Sequence, residues 1–143
     1  MLAVDTNVLV HAHRLKSPLH EPSRLAVARL AEGPANWAIP WSCIHEFYSV
    51  VTNPRVFPEP TPPSAAWEQI EAWMESPTLV LLSEARSHAE HLRDLIIKGR
   101  VVGARVHDAR IAAVCASHGV QELISFDRDF TRFPGLTTRS PLG

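Results

Sequence analysis

The chain has 143 residues, 45% of them hydrophobic, and a formal net charge of −1. That length fits one domain with one core, and the composition excludes a disordered chain. The near-neutral charge excludes a broadly basic nucleic-acid surface, so any such binding needs a local patch.

Residues 2–5 read as the first strand, an apolar run that ends in Asp5. Thr6 or Asn7 can cap a short helix around residues 8–13, and His11, His13, Lys16, Ser17, Pro18 and Pro22 mark a loop. A helix follows over 22–32 and stops at Gly33-Pro34. Trp37-Ala38-Ile39 reads as a second strand. Ser42 is placed to cap a helix that carries Ile44, Phe47, Tyr48 and Val51 and ends at Asn53-Pro54. Pro54, Pro58, Pro60, Pro62 and Pro63 then make a loop rather than a domain linker, since neither flank could stand alone. Ser64 caps the next helix, with Trp67, Ile70, Trp73 and Met74 as its apolar stripe. The unbroken run Leu79-Val80-Leu81-Leu82 predicts a strand buried on both faces. Helices are expected over 85–98 and 104–118, a fourth buried strand over 122–126, and a short fifth at Leu136-Thr137-Thr138. Strands alternating with helices imply an α/β fold with a parallel sheet, in one domain spanning 1–143.

Two strands end in an acid, Asp5 and Asp127, and open α/β sheets bind ligands outside the carboxyl ends of their strands. Each acid also has a plain structural reading. Asp5 could cap a helix, and Asp127 with Asp129 could belong to a polar turn. Glu46, early in its helix, suits the helix dipole. Asp108 shares a helical stripe with Ile111, Ala112 and Cys115, where a carboxylate is costly unless paired with Arg105 or Arg110 or with a metal. Taken together, the four acids could meet at one sheet edge. Carboxylates about 4 Å apart repel by about 4 kcal/mol at an effective dielectric near 20, so such a cluster needs protons or cations. Oxygen donors without thiolates suit Mg²⁺ or Mn²⁺, and phosphodiester hydrolysis is the natural chemistry of such a site.

Four segments, in order, carry a resemblance: Leu2-Ala3-Val4-Asp5-Thr6-Asn7-Val8-Leu9, Ser42-Cys43-Ile44-His45-Glu46-Phe47, Val106-His107-Asp108-Ala109-Arg110-Ile111-Ala112-Ala113 and Ile124-Ser125-Phe126-Asp127-Arg128-Asp129-Phe130. They resemble the PIN domain, and within it the VapC group of bacterial toxin ribonucleases, over nearly the whole chain. The resemblance implies a three-layer α/β/α fold with a mostly parallel central sheet of four to five strands. It implies an endoribonuclease dependent on Mg²⁺ or Mn²⁺, the toxin of a type II toxin–antitoxin system. Asp5, Glu46, Asp108 and Asp127 would be its catalytic and metal-binding residues, with Asp5 and Asp108 the firmest ligands. Thr6, Asn7 or Ser125 would tune them by hydrogen bonding, and Asp129 would substitute for or assist Asp127. A homodimer and a VapB-type antitoxin lying across the active-site groove are further implications.

The rest of the sequence fits that expectation. Lys16 and Lys98 are the only lysines, which leaves RNA backbone contacts to Arg55, Arg100, Arg105, Arg110, Arg128 or Arg132. Arginine enrichment equally fits a GC-rich genome. Cys43 and Cys115 sit in apolar helical patterns and read as reduced core residues. Trp41, Trp67 and Trp73 read as core or interface residues. No leader segment or membrane-length apolar run is visible, so a soluble cytoplasmic protein is expected. A haloacid-dehalogenase-like phosphatase would need an acid where Asn7 stands and a late lysine near the site, where Lys98 is poorly placed. A receiver domain fails similarly. A catalytically silent PIN-fold binding module would not need four mutually repelling acids.

Overall fold

A computed structural model describes residues 1–143. Its elements run β1 (Leu2–Val4), α1 (Thr6–His13), α2 (His20–Glu32), β2 (Trp37–Pro40), α3 (Trp41–Val51), α4 (Pro63–Met74), β3 (Leu79–Leu82), α5 (His88–Gly99), α6 (Val106–Ser117), β4 (Glu122–Ile124) and β5 (Thr137–Arg139). The five strands form one sheet in the order β3-β2-β1-β4-β5, and every pairing is parallel. The sheet is therefore parallel throughout, a step beyond the expected mostly parallel one.

The order dictates the layers. Crossovers between parallel strands are right-handed. Moving from β1 to β2 to β3 in one direction puts α1 to α4 on one face. Moving back from β3 to β4 puts α5 and α6 on the other. The helix contacts agree, with α1 packed on α2 and α3, α3 on α4, and α5 on α6. The reversal in strand order falls between β1 and β4, where a crevice opens at the carboxyl ends of the strands.

Several local expectations shift for identifiable reasons. Asp5 itself, not Thr6 or Asn7, is the N-cap of α1, because its side chain accepts the Thr6 N–H. Ser42 does not cap α3. Pro40 holds that position with extended backbone, and the Ser42 hydroxyl lies in the first turn, buried without a partner. Ser64 is likewise inside α4, whose first residue is Pro63; proline has no N–H to leave unpaired there. Pro22 sits in the first turn of α2, where it is tolerated for the same reason, so the helix starts earlier, at His20. The helix expected over 85–98 starts at His88, after a turn closed by the His88 N–H on the Ala85 carbonyl. Gly103–Arg105 is a 3₁₀ turn leading into α6. The strands predicted over 2–5 and 122–126 stop at Val4 and Ile124, so their last residues are free to build a site. The expectation that Leu79–Leu82 is buried on both faces is corrected. β3 is an edge strand, and only Leu82 is fully buried.

The core joins both faces. Trp37 and Ile39 of β2, Leu9 of α1, Phe47 of α3, Ile70 of α4, Leu123 of β4 and Phe130 are all buried in one cluster. The buried Trp37 indole N–H donates to Ser76 Oγ at 3.1 Å, and that hydroxyl donates to the Ala31 carbonyl at 3.0 Å. This satisfies the indole and ties β2 to the ends of α2 and α4. Gly33 is required where α2 stops, since a Cβ there would lie 2.8 Å from the Arg29 carbonyl oxygen. Cys43 and Cys115 are buried and unpaired, as core residues.

The proline-rich loop is tied down. Thr61 N–H donates to the Val51 carbonyl at 2.8 Å, and Arg14 donates to the Glu59 carbonyl at 2.9 Å while stacking over Phe57. His13 bridges Thr61 Oγ1 and Gln69 Oε1, at 3.0 and 3.1 Å. Its ring also meets Phe47 edge-on, and Phe47 packs in turn on Trp73. Phe47 therefore joins α1, α3 and α4 one residue after Glu46. Phe47→Ala should lower stability by about 3–5 kcal/mol, read as a fall in the denaturant midpoint at constant slope. An unchanged midpoint would mean the three helices are held another way.

Candidate active site

The crevice at the carboxyl ends of β1 and β4 gathers the acids. Asp5 follows β1 directly, and its N–H still pairs with the Ile124 carbonyl at 3.0 Å. Its side chain is only 5% exposed. Oδ1 accepts from the Thr6 N–H at 2.8 Å, and Oδ2 accepts from the Ser125 hydroxyl at 2.7 Å. The Cys43 thiol approaches Oδ1 at 3.9 Å. No lysine or arginine pairs with Asp5.

Ser125 is the hub. Its hydroxyl donates to Asp5 and accepts from the Asp127 N–H at 2.9 Å and from Asn7 Nδ2 at 3.3 Å. One donor and two lone pairs are all a hydroxyl has, so Ser125 is fully used. Asn7 Oδ1 accepts the Phe126 N–H at 3.2 Å, closing the link between α1 and the end of β4. Thr6 Oγ1 donates to Glu46 Oε2 at 3.3 Å. Thr6, Asn7 and Ser125 thus all bond within the site.

Asp108 stands half-buried in the first turn of α6. Burial raises its pKa first, followed by the charges of Asp127 and Glu46; Arg105 opposes these, and Asp129 adds to them. Asp127 caps the 3₁₀ turn Arg128–Arg132, with Oδ1 accepting the Asp129 N–H at 2.8 Å. Asp129 turns outward and is bound by Arg105 Nη2 at 2.8 Å. Arg105, weighed from sequence as a partner of Asp108, bonds to Asp129 and reaches Asp108 only through its field. Arg110 pairs with Glu84 instead. The Asp5 carboxyl is pushed up to about 6, chiefly by burial; its hydrogen bonds from Ser125 and Thr6 lower it, and Glu46 and Asp108 raise it.

Asp5 therefore feels the charges of Glu46 and Asp108, and Asp108 those of Asp127 and Glu46. As placed, however, no three Asp, Glu, His or Cys side chains close on one ion. Glu46 is exposed and turned to Thr6, and one oxygen of Asp127 is spent on its cap. The donor set still fits a hard divalent cation: every acid offers carboxylate oxygen, and the buried one has no protein cation to neutralise it. Beside the acids a groove of about 350 Å³ is lined by Ser42, His45, Glu46, Ser49, His107 and Arg110. Two residues at the site escaped sequence reasoning. The Cys43 contact with Asp5 could have been suspected from its position three residues before Glu46. The unpartnered Ser42 hydroxyl had no signal, because a serine at that point reads as a cap.

A PIN domain profile matches residues 2–136. Ribonuclease VapC43 of Mycobacterium tuberculosis is 38% identical over 142 residues, covering 99% of this chain and 96% of the relative. Ribonuclease VapC48 of the same organism is 32% identical over 137 residues, covering 96% and 94%. Among solved structures, VapBC2 from Rickettsia felis bound to a promoter DNA fragment superposes with a TM-score of 0.68 at 17% identity, covering 97% of each chain. VapC20 of Mycobacterium tuberculosis, a sarcin-ricin loop cleaving toxin, gives 0.67 at 16% identity, covering 95% of this chain and 98% of that one. These two likenesses concern the fold.

The raised Asp5 carboxyl has a stability consequence for the metal-free protein. Between pH 3.8 and about 6 the folded chain binds a proton that the unfolded chain has released, so stability falls as pH rises through that window. The ionised site then costs about 3 kcal/mol at neutral pH, by the rule of 1.36 kcal/mol per pH decade. Asp5→Asn keeps an acceptor for Thr6 and removes the charge. In EDTA at pH 7.5 it should unfold at higher temperature than wild type, with an advantage that shrinks towards pH 4. Equal melting curves at both pH values would show that Asp5 is neutralised within the protein.

Proposed function

The chain belongs to the PIN-domain family and, within it, to the VapC ribonucleases, the toxins of toxin–antitoxin systems; we propose that it hydrolyses RNA phosphodiester bonds with Mg²⁺ or Mn²⁺. One observation carries the metal: a buried carboxylate with no cationic partner, facing Glu46 and Asp108 across the crevice at the switch in strand order. In this reading Asp5 and Asp108 hold the cation most firmly, and Glu46 and Asp127 complete the site, in part through water. When bound, the cation would supply Lewis acidity, neutralising the carboxylates, activating water and clamping the scissile phosphodiester.

The chain's own residues do the positioning. Ser125 and Thr6 fix both Asp5 oxygens, so the carboxylate has one orientation before anything binds. Thr6 also holds Glu46 on the same side of the crevice. Water adds to phosphorus, its oxygen stays on the phosphate fragment, and the displaced ester oxygen leaves as a hydroxyl after taking up a proton. The rival phosphatase chemistry finds no support, because Asn7 is engaged by Ser125 and Phe126, and Lys98 is exposed and bonds to none of the acids.

Solved neighbours in the fold include VapBC toxin–antitoxin complexes, and a VapB-type antitoxin is the partner we propose. A homodimer is a further part of the proposal. α5 buries none of its residues fully and exposes Ile97, and Val102 just beyond the helix is exposed as well, apolar surface that a second copy would cover. No helix is long and apolar enough to cross a membrane. An RNA target would place the protein in the cytoplasm.

RNA cleavage assayed with Mg²⁺ or Mn²⁺ tests the reading. Asp5→Ala and Asp108→Asn should abolish detectable cleavage. Ser125→Ala, which touches no substrate, should lower Mn²⁺ affinity about 10–100-fold, measured by calorimetry. Cleavage by both acid variants at the wild-type rate would sink the metal-nuclease reading.

A further inference from the structure

The fold sorts the six arginines that the sequence leaves open for RNA. Arg110 is spent on Glu84, with Nε and Nη2 both at 2.6 Å from one carboxylate oxygen. Arg55 lies in the proline-rich loop and Arg128 at the start of the 3₁₀ turn. Arg100, Arg105 and Arg132 instead surround one small surface crevice of about 20 Å³, beside Asp108 and Asp129. Arg105 is held by Asp129, whereas Arg100 and Arg132 make no ion pair and no side-chain hydrogen bond.

Arg100 carries a second, independent signal. Its backbone is left-handed, with φ 49° and ψ 47°, and it is the only non-glycine residue at positive φ. It forms the C-cap of α5, where glycine is the usual residue in this conformation. Gly99 precedes it, so a glycine is present but one position too early. Strained backbone that persists in this way concentrates at functional sites. The residue that carries this strain lines the same small crevice as Asp108, and its guanidinium has no protein partner.

The geometry points to a phosphate clamp: we propose that Arg100 and Arg132, with Arg105 behind them, bind the RNA backbone next to the phosphodiester presented to Asp108. The inference rests on the ribonuclease reading of the acid site. Four carboxylates repel a polyanion, so a strand entering the crevice needs fixed cations alongside. Guanidinium forks suit phosphate oxygens, and their charge does not titrate away. Arg105 is a positioning residue in this scheme. Its bond to Asp129 fixes the wall between clamp and acids, while the two unpaired arginines take the phosphates.

Fluorescence anisotropy with a labelled single-stranded RNA, in EDTA and across a salt series, tests the clamp. Arg100→Gly and Arg132→Ala should each weaken binding about tenfold and flatten the dependence of log affinity on log salt by about 0.7. Arg24→Ala, remote on α2 and paired with Glu21, serves as the control and should change neither. Arg100→Gly also relieves the left-handed strain and should melt about 2–4 °C higher than wild type. Weaker binding in a more stable protein is a result that a merely structural arginine cannot give. Affinities and salt slopes equal to the Arg24→Ala control would overturn the clamp; cleavage of RNA by those same variants would leave the ribonuclease reading standing. Weakened binding in both variants, with no cleavage by wild type in Mn²⁺, would support the clamp and sink the ribonuclease reading.

Discussion

The hydrogen bond from Ser125 Oγ to Asp5 Oδ2 joins the two strands at the centre of the sheet beyond the point where backbone pairing ends. β1 and β4 are in register through Val4 and Ile124, and the next residues on each chain turn away into separate structures. Beside the Asp5 N–H on the Ile124 carbonyl and the Asn7 link to Phe126, what keeps them together is a buried carboxylate and a hydroxyl with no spare bond. Asn7 and the Asp127 backbone attach to the same hydroxyl. A serine thus orders the first turn of α1, the start of the 3₁₀ turn and the buried acid between them.

This arrangement sets stability against function. Burying a charge without a partner is among the costlier things a fold can do, and the core around Trp37, Phe47 and Leu123 offsets it. The protein could lower that cost by pairing Asp5 with an arginine. Fourteen lysines and arginines are present, yet none pairs with Asp5: Arg105 is directed to Asp129, Arg110 to Glu84, and Arg100 and Arg132 stand unpaired beside Asp108. The buried acid therefore keeps a charge that no ion pair within the protein neutralises.

Much of this was legible in the sequence because it follows from local chemistry. The apolar runs ending in Asp5 and Asp127 announced strand ends, and the stripe of Asp108 with Ile111, Ala112 and Cys115 announced a helix facing the interior. What the sequence concealed depends on neighbours distant in the chain. Leu79–Leu82 has the pattern of a central strand, but nothing local says that no further strand lies beyond it. Ser42 and Ser64 look like caps, but prolines ahead of them already supplied the extended backbone a cap needs. Asp5 could be read as a cap or as a site residue, and it is a cap whose second oxygen serves the site. The choice of Asp129 over Asp108 by Arg105 rests on side-chain reach across a groove, which spacing cannot encode.

The His13 bridge has a consequence of another kind. Burial lowers the pKa of this imidazole, ahead of a contrary effect from Gln69 and the like charge of Arg14. A depressed histidine contributes stability that is present above pH 6.5 and lost as pH falls. The buried carboxyl of Asp5 acts with the opposite sign over an adjoining range. Mild acid therefore relaxes one end of α1 while relieving the other. The two ends of α1 are thus held by groups whose titration acts on stability with opposite sign, so the domain's overall tolerance of acid says little about either. Acidification weakens the His13 hold on the proline-rich loop while it relieves the buried charge at Asp5, so one helix carries a loss and a gain that a single unfolding curve adds together.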